Sequence, residues 1–242
     1  MATRALLAEL ARAYQTRTAC PVAIESIGGV DAARRVQAGE PFDVVVLARD
    51  AMDRLLATGH LVAGSLIDLA RSGVAVAVRA GVRRPGADID IDIGSEAGVR
   101  RAVLGARTIG ISTGPSGVEL AGMFQRWGIA AELRDRLVTA PPGVPVGALV
   151  ARGEVELGFQ QLSELTHIEG IDVLGPLPAP IQIVTTFSAA VGARALQPGA
   201  ARELLAFMAS PAAADAKRRQ GMDPPMSTSE PTSGHTEGVS HS

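Results

Sequence analysis

Hydrophobic and polar positions alternate along this chain in two rhythms, one of period 3.6 and one of short apolar runs, and glycine or proline marks most of the changes between them. Leu6, Leu7, Leu10 and Tyr14 share one helical face, so the chain opens with an amphipathic helix. Pro21 to Gly29 (PVAIESIGG) reads as a strand ending in a glycine turn, and Val30 to Gly39 as a helix stopped by Gly39. Phe42 to Ala48 (FDVVVLA) is almost continuously apolar, as expected of a parallel strand buried on both faces. Asp50 then caps a helix that ends at Gly59.

Gly73 to Gly81 (GVAVAVRAG) reads as a strand, followed by a charged loop whose DIDIDI alternation suggests an exposed edge strand. A carboxylate cluster for a cation is conceivable there, but the spacing lacks the glycine that a calcium loop needs, so no metal site is expected. Thr108 to Ile129 (TIGISTGPSGVELAGMFQRWGI) is the richest stretch. It reads as a short strand, a loop of hydroxyls and glycines, and a helix with Leu120, Met123, Phe124 and Trp127 at helical spacing. Further on, Val138 marks a strand, APPGVP a rigid loop, Val146 to Arg152 a helix, Val155 to Gln160 a strand, and Ile171 to Pro178 another. Ile181 to Gly192 is long enough to pass from one sheet to another. A helix follows in GAARELLAFMAS, and Pro211 opens a last one.

The alternation of strands and helices predicts an α/β protein with mostly parallel sheets. Two long strands frame a middle section with its own alternation, which predicts two lobes. Residues 1–73 and 189–224 would form the first, lacking an initial strand, and residues 74–188 the second; residues 225–242, with almost no large apolar side chains, read as a disordered tail. Ligands of such folds lie where loops at strand ends face each other across a cleft.

Composition narrows the chemistry. A chain of 242 residues with 47% hydrophobic content can bury a substantial core. Its formal net charge of -2 and scattered basic residues give no electrostatic footprint for nucleic acid or an anionic membrane, so any bound anion must be recognised locally. Cys20 is the single cysteine, which excludes an internal disulfide and a cysteine-rich metal site. His235 and His241 are irregularly spaced in the tail and read as solvated; no cofactor motif is present. No apolar run reaches membrane-spanning length, and no secretory signal precedes the first helix, so a cytoplasmic protein is expected as the chain stands, or a periplasmic one if translation starts upstream.

The loop Ser112 to Gly117 delivers hydroxyls and backbone N–H groups to a helix start, where the dipole favours an anion. Ser116 as an ordinary N-cap is the alternative. Arg49, directly after a buried strand, and Arg79, near the change of lobe, are candidate carboxylate clamps, with solvated surface arginines as the alternative. Strand alternation turns one of Gln160 and Gln161 to the cleft.

The order of Gly28-Gly29 before a helix, FDVVVLARDAMDRLLATGHL, a hydroxyl loop before FQRWGI, and ALVARGEVELGF resembles the periplasmic molybdate-binding protein family of type II solute-binding proteins, over nearly all of Met1 to about Asp223. Within it, ESIGGVDAARRVQAGEPFDVVVLA, STGPSG and GFQQLSEL are similar to a branch that includes aconitate isomerase. The resemblance implies a two-lobed fold that closes over an oxyanion held by hydroxyls and backbone donors. The implied positions are Gly28, Gly29 and Val30, where a serine is replaced; Ser112, Thr113, Gly114, Ser116 and Gly117; Val144; and Gln161, at a tyrosine position, beside Gln160. The serine loop after the family's first strand has no counterpart. Losing hydroxyl donors and gaining amides that also accept suits a di- or tricarboxylate better than a compact tetrahedral dianion.

Two functions follow: a binding protein without chemistry, partnered if exported by an ABC transporter permease, or an isomerase of a small tricarboxylate acting by allylic proton transfer. A regulator's ligand-sensing domain is a third. The isomerase needs a base, and the sequence nominates none: His60 ends a helix near the surface, His167 follows one, Glu25, Asp31, Asp50 and Glu119 lie close to loops without an identified partner, and Ser112 or Ser116 would need an activating group that the sequence does not locate.

Overall fold

A computed structural model of the chain describes residues 2–82, 91–141 and 143–225. Half of the DIDIDI stretch, residues 88–90, and nearly all of the expected tail lie outside the described residues. Helix α1 (Arg4–Thr18) buries Leu6, Leu7, Leu10 and Tyr14, the face that the periodicity marks. Then come α2 (Gly29–Gln37), β1 (Val44–Ala48), α3 (Arg49–Ala57), the long β2 (Ile67–Arg79), α4 (Glu96–Gly105), β3 (Ile109–Ile111) and α5 (Pro115–Arg126). The rest is α6 (Ala130–Leu133), β4 (Leu137–Thr139), α7 (Val146–Ala151), β5 (Leu157–Gln161), α8 (Leu162–Leu165), β6 (Ile171–Pro176), β7 (Val184–Val191), α9 (Pro198–Ala209) and α10 (Ala214–Arg219).

The α/β class stands, but the pairing is mixed rather than mostly parallel. β3 pairs in parallel with β4 and β5, whereas β2 and β7 run against every neighbour they have. The reason lies in β2, which is much longer than the apolar run from Gly73 suggests. Its first half, Ile67 to Gly73, pairs with β7, and its second, Val74 to Arg79, with β5 and β6. One strand thus belongs to two sheets. β7 stays in a single sheet, because its described partners are β1 and the first half of β2; the return crossing falls earlier, between β6 and β7. Gln182 stitches this junction: its Oε1 accepts from the Val74 N–H at 2.9 Å while its Nε2 donates to the Leu177 carbonyl at 3.1 Å.

The strand expected at Pro21 to Gly29 is extended but unpaired. β1 uses β7 as its partner, and no other described strand takes its second edge, so this segment has no ladder to join. Side chains hold it instead, with Arg35 Nη1 bonded to Glu25 at 2.5 Å and Gln15 Nε2 to the Val22 carbonyl at 3.2 Å. Asp50 lies within the first turn of α3, not at its cap, which is Ala48.

Two apolar cores flank the junction. One gathers Val74, Val76 and Val78 of β2 with Leu120, Phe124 and Phe159, the two phenylalanine rings meeting edge to face at 6.2 Å. The other packs α1, α9 and α10 on Leu69 and Ala70 of β2. No helix among the described residues is long and apolar enough to cross a membrane.

Lys217 on α10 is 1% exposed. No hydrogen bond or ion pair among the described residues reaches its amine, and burial pushes its pKa below the ordinary 10.5. Between the lowered folded value and 10.5 the unfolded chain binds more protons, so stability rises with pH through that window and levels off above it. Lys217→Met is expected to stabilise the protein at neutral pH by about 1–3 kcal/mol, the cost of a buried group without a partner, and to remove this slope. Denaturant titrations of both proteins from pH 7 to 10 check it.

Candidate functional site

A cleft of about 870 Å³ opens between the two sheets, walled by α3, α5, the start of β2 and the connection from Pro180 into β7. α5 turns one face to it. Pro115, Glu119, Met123 and Arg126 recur at helical spacing along that wall, with Trp127 following the last turn. Opposite stand Ala48, Arg49 and Asp50 at the start of α3, and Asp68 of β2.

The charges in this cleft sort by partner. Arg49 is engaged on two sides, its Nε bonded to Asp53 at 2.9 Å and its Nη1 to Asp68 at 2.9 Å, and these hydrogen bonds to Asp68 and Asp53 raise its pKa. Asp68 also accepts from the Ser188 hydroxyl at 2.7 Å, and Glu96 accepts from the Trp127 indole N–H at 2.6 Å. Asp50, Glu119 and Arg126 make no hydrogen bond or ion pair among the described residues. Arg49 is therefore a link in a wall, not a free clamp. Arg79 is remote: it pairs with Ile171 at the far end of β2, roughly 36 Å along the strand from Asp68 at about 3.3 Å per residue.

The hydroxyl loop folds tightly onto α5. Gly114 is the N-cap, so Ser116 sits inside the first turn, buried, with its Oγ 3.4 Å from that of Ser112. Three backbone positions at this turn offer no free donor. Pro115 has none, and the N–H groups of Gly117 and Val118 both turn to the Gly114 carbonyl. Gly117 is required sterically, because any Cβ there would overlap the Ser112 carbonyl oxygen. Thr113 is exposed, and Gly114 partly so. Of this loop, Pro115 reaches the cleft wall.

The other expected positions divide in the same way. Gly28, Gly29 and Val30 start α2, with Val30 exposed at 72%. They are not on the cleft wall. Val144 packs against the small core under α7. Gln160 is consumed by structure: its Oε1 accepts from the Gly147 N–H at 3.3 Å and its Nε2 donates to Glu164 at 2.6 Å. Gln161, its neighbour in the alternation, is buried and donates from Nε2 to the Thr185 hydroxyl at 2.6 Å, and Thr185 lines the cleft. Its Oε1 is buried without a partner. Since the threonine hydroxyl can donate or accept, either orientation of the amide leaves one end unpaired.

Of the base candidates, Glu25 and Asp31 are paired with Arg35 and Arg34, His60 contacts the Thr58 hydroxyl at 2.9 Å, and His167 contacts Gln220 at 2.7 Å. Asp50 and Glu119 remain in the cleft. Sequence reasoning passed over Arg126, Asp68, Gln182 and Thr185. Helical spacing from Glu119 through Met123 could have found Arg126; the others carry no local signal.

The family model for bacterial extracellular solute-binding proteins matches residues 1–223. The chain belongs to that family. It is 37% identical to the aconitate isomerase of a Pseudomonas species over 224 residues, 89% of this chain and 82% of that one. Among solved structures it resembles the periplasmic molybdate-binding protein of Azotobacter vinelandii, with a TM-score of 0.74 at 22% identity over 93% of this chain and 96% of that one. The substrate binding domain assigned to a molybdenum ABC transporter of Clostridium difficile gives a TM-score of 0.71 at 16% identity, with the same coverage. These solved structures share the two-lobed fold of the family, and at such identities they speak to fold alone.

The Gln161–Thr185 contact is open to a direct test. Thr185→Val strips the buried amide of its one partner and should cost about 1–3 kcal/mol. Adding Gln161→Leu to it should recover most of that loss. Equal, additive losses in chemical denaturation would show that the pair is not coupled.

Proposed function

We propose that this solute-binding-family protein takes a small di- or tricarboxylate into the cleft between its sheets and isomerises it as an aconitate isomerase does, moving a double bond by allylic proton transfer. The observation that carries this reading is the 37% identity to an aconitate isomerase across 89% of the chain, far above the likeness to the molybdate-binding structures. The cleft supports it in kind. It offers a guanidinium and two carboxylates that have no partner among the described residues, and a threonine hydroxyl, a mixed set that matches a ligand carrying several carboxylates and an acidic methylene. A compact tetrahedral dianion would call for a ring of donors. Here, of the hydroxyl loop, Pro115 alone stands on the cleft wall, and it carries no donor.

The second reading is capture without chemistry, the ligand then passing to an ABC transporter permease. It is favoured by the family itself, whose model is that of an extracellular solute-binding protein.

Proton NMR of the purified protein mixed with trans-aconitate separates the two. Conversion to the cis isomer is expected, with citrate raising the melting temperature and molybdate leaving it unchanged. Stabilisation by molybdate without turnover would overturn both the carboxylate site and the isomerase. Stabilisation by citrate without turnover would leave a carboxylate-binding protein.

A further inference from the structure

We infer that Glu119 is the base of the proposed isomerisation and that Arg126, two turns later on α5, anchors a carboxylate of the same substrate. The inference rests on the isomerase reading and adds the residues that would perform it.

Proton abstraction from carbon needs a carboxylate whose lone pairs are not already engaged and which faces the bound substrate. Asp68 and Glu96 fail the first condition, since Arg49, Ser188 and Trp127 hold them. Asp50 meets both, but it sits in the first turn of α3, directly after Arg49. That places it on a different helix from Arg126, the guanidinium of the cleft that has no partner among the described residues. Glu119 lies beyond the first turn of α5, on the cleft wall and without a partner among the described residues.

Arg126 completes the pair. Its Cα is about 10.5 Å along the helix from that of Glu119 at ~1.5 Å per residue. The side chain folds back over Gly122, with Nη1 3.5 Å from the place where a Cβ of that glycine would stand. The guanidinium therefore lies within about a turn of Glu119, yet the two are not joined by an ion pair. A substrate carboxylate on Arg126 would bring the methylene beside it toward Glu119. Met123 lies between the two on the same face, keeping that part of the wall apolar.

The step balances without any cofactor. The Glu119 carboxylate takes a proton from the allylic methylene, and the C–H electron pair becomes the new double bond. The electrons of the old double bond move onto its far carbon, delocalised over the attached carboxylate, and the carboxyl of Glu119 returns a proton to that carbon. For aconitate the shifted molecule is again aconitate, so the geometry of the new double bond decides whether it is cis or trans. Nothing is oxidised or reduced.

The test uses the intact protein, trans-aconitate for turnover by NMR in deuterated water, and citrate for binding by calorimetry. Glu119→Gln is expected to lower turnover about a hundredfold or more, and with it deuterium uptake into recovered substrate, while citrate affinity stays within about threefold. Arg126→Gln should weaken citrate binding about tenfold or more, with partial rescue by Arg126→Lys. Turnover that survives Glu119→Gln, or that is lost in Asp50→Asn instead, overturns the base assignment. A wild type that binds citrate but converts nothing overturns it too, along with the isomerase reading. In that case the citrate affinity of Arg126→Gln still decides the anchor, which an unchanged value would overturn.

Discussion

The structure depends on one strand that changes partners in the middle. β2 pairs with β7 up to Gly73 and with β5 and β6 from Val74 onward, so a continuous backbone connects the two sheets and fixes the walls of the cleft relative to each other. Changing partners leaves backbone groups at the junction outside either regular ladder, and buried polar groups must be satisfied. Gln182 shares in this from both ends of its amide, the Val74 N–H being divided between its Oε1 and the Ile183 carbonyl, and a Cβ on Gly73 would stand 3.0 Å from that amide. The same short region carries Gln161 and Thr185, so the polar floor of the cleft and the junction between the sheets are built from neighbouring residues.

Above that floor, charge is arranged by subtraction. Four carboxylates and two guanidinium groups line the cleft, which on a count alone would repel an anion. Internal pairing leaves that sum unchanged but decides which charges a ligand can meet. Arg49 with Asp68, and Glu96 with Trp127, become parts of the wall, and the groups left to meet a ligand are Asp50, Glu119 and Arg126. A pure anion trap would leave cations free. A site that holds a carboxylate and takes a proton from the carbon beside it needs one free cation and one free base, and α5 supplies both on a single face.

Much of the fold was legible because hydrophobic periodicity reports burial directly. The faces of α1 and α5 were readable, since each buries what its own period marks, whereas the apolar run of β1, read as a parallel strand buried on both faces, pairs antiparallel with β7 and buries only Val45 and Leu47. Errors arose where the partner, not the segment, decides the outcome. Pro21 to Gly29 has strand composition but no ladder to join, and Ile67 to Ser72 looks too polar for a strand until β7 lies alongside it. Gln160 and Gln161 illustrate the same limit at the site. Alternation separates their directions, but only the positions of Gly147 and Thr185 show that one amide is spent on the framework and the other is left with an unpaired end.

By itself, then, the sequence determined most of the helices and strands, the α/β class and the glycine-bearing turn into α5, because these follow from side-chain period and from proline and glycine geometry. Tertiary structure alone decided that β2 serves two sheets, that Arg79 stands far from the cleft, and that Arg49 is bound while Arg126 is free. The physical reason is that an ion pair or a change of strand partner depends on groups far apart in the chain. Asp68 lies 19 residues from Arg49, and Thr185 lies 24 from Gln161. No local pattern records those distances until the chain has folded.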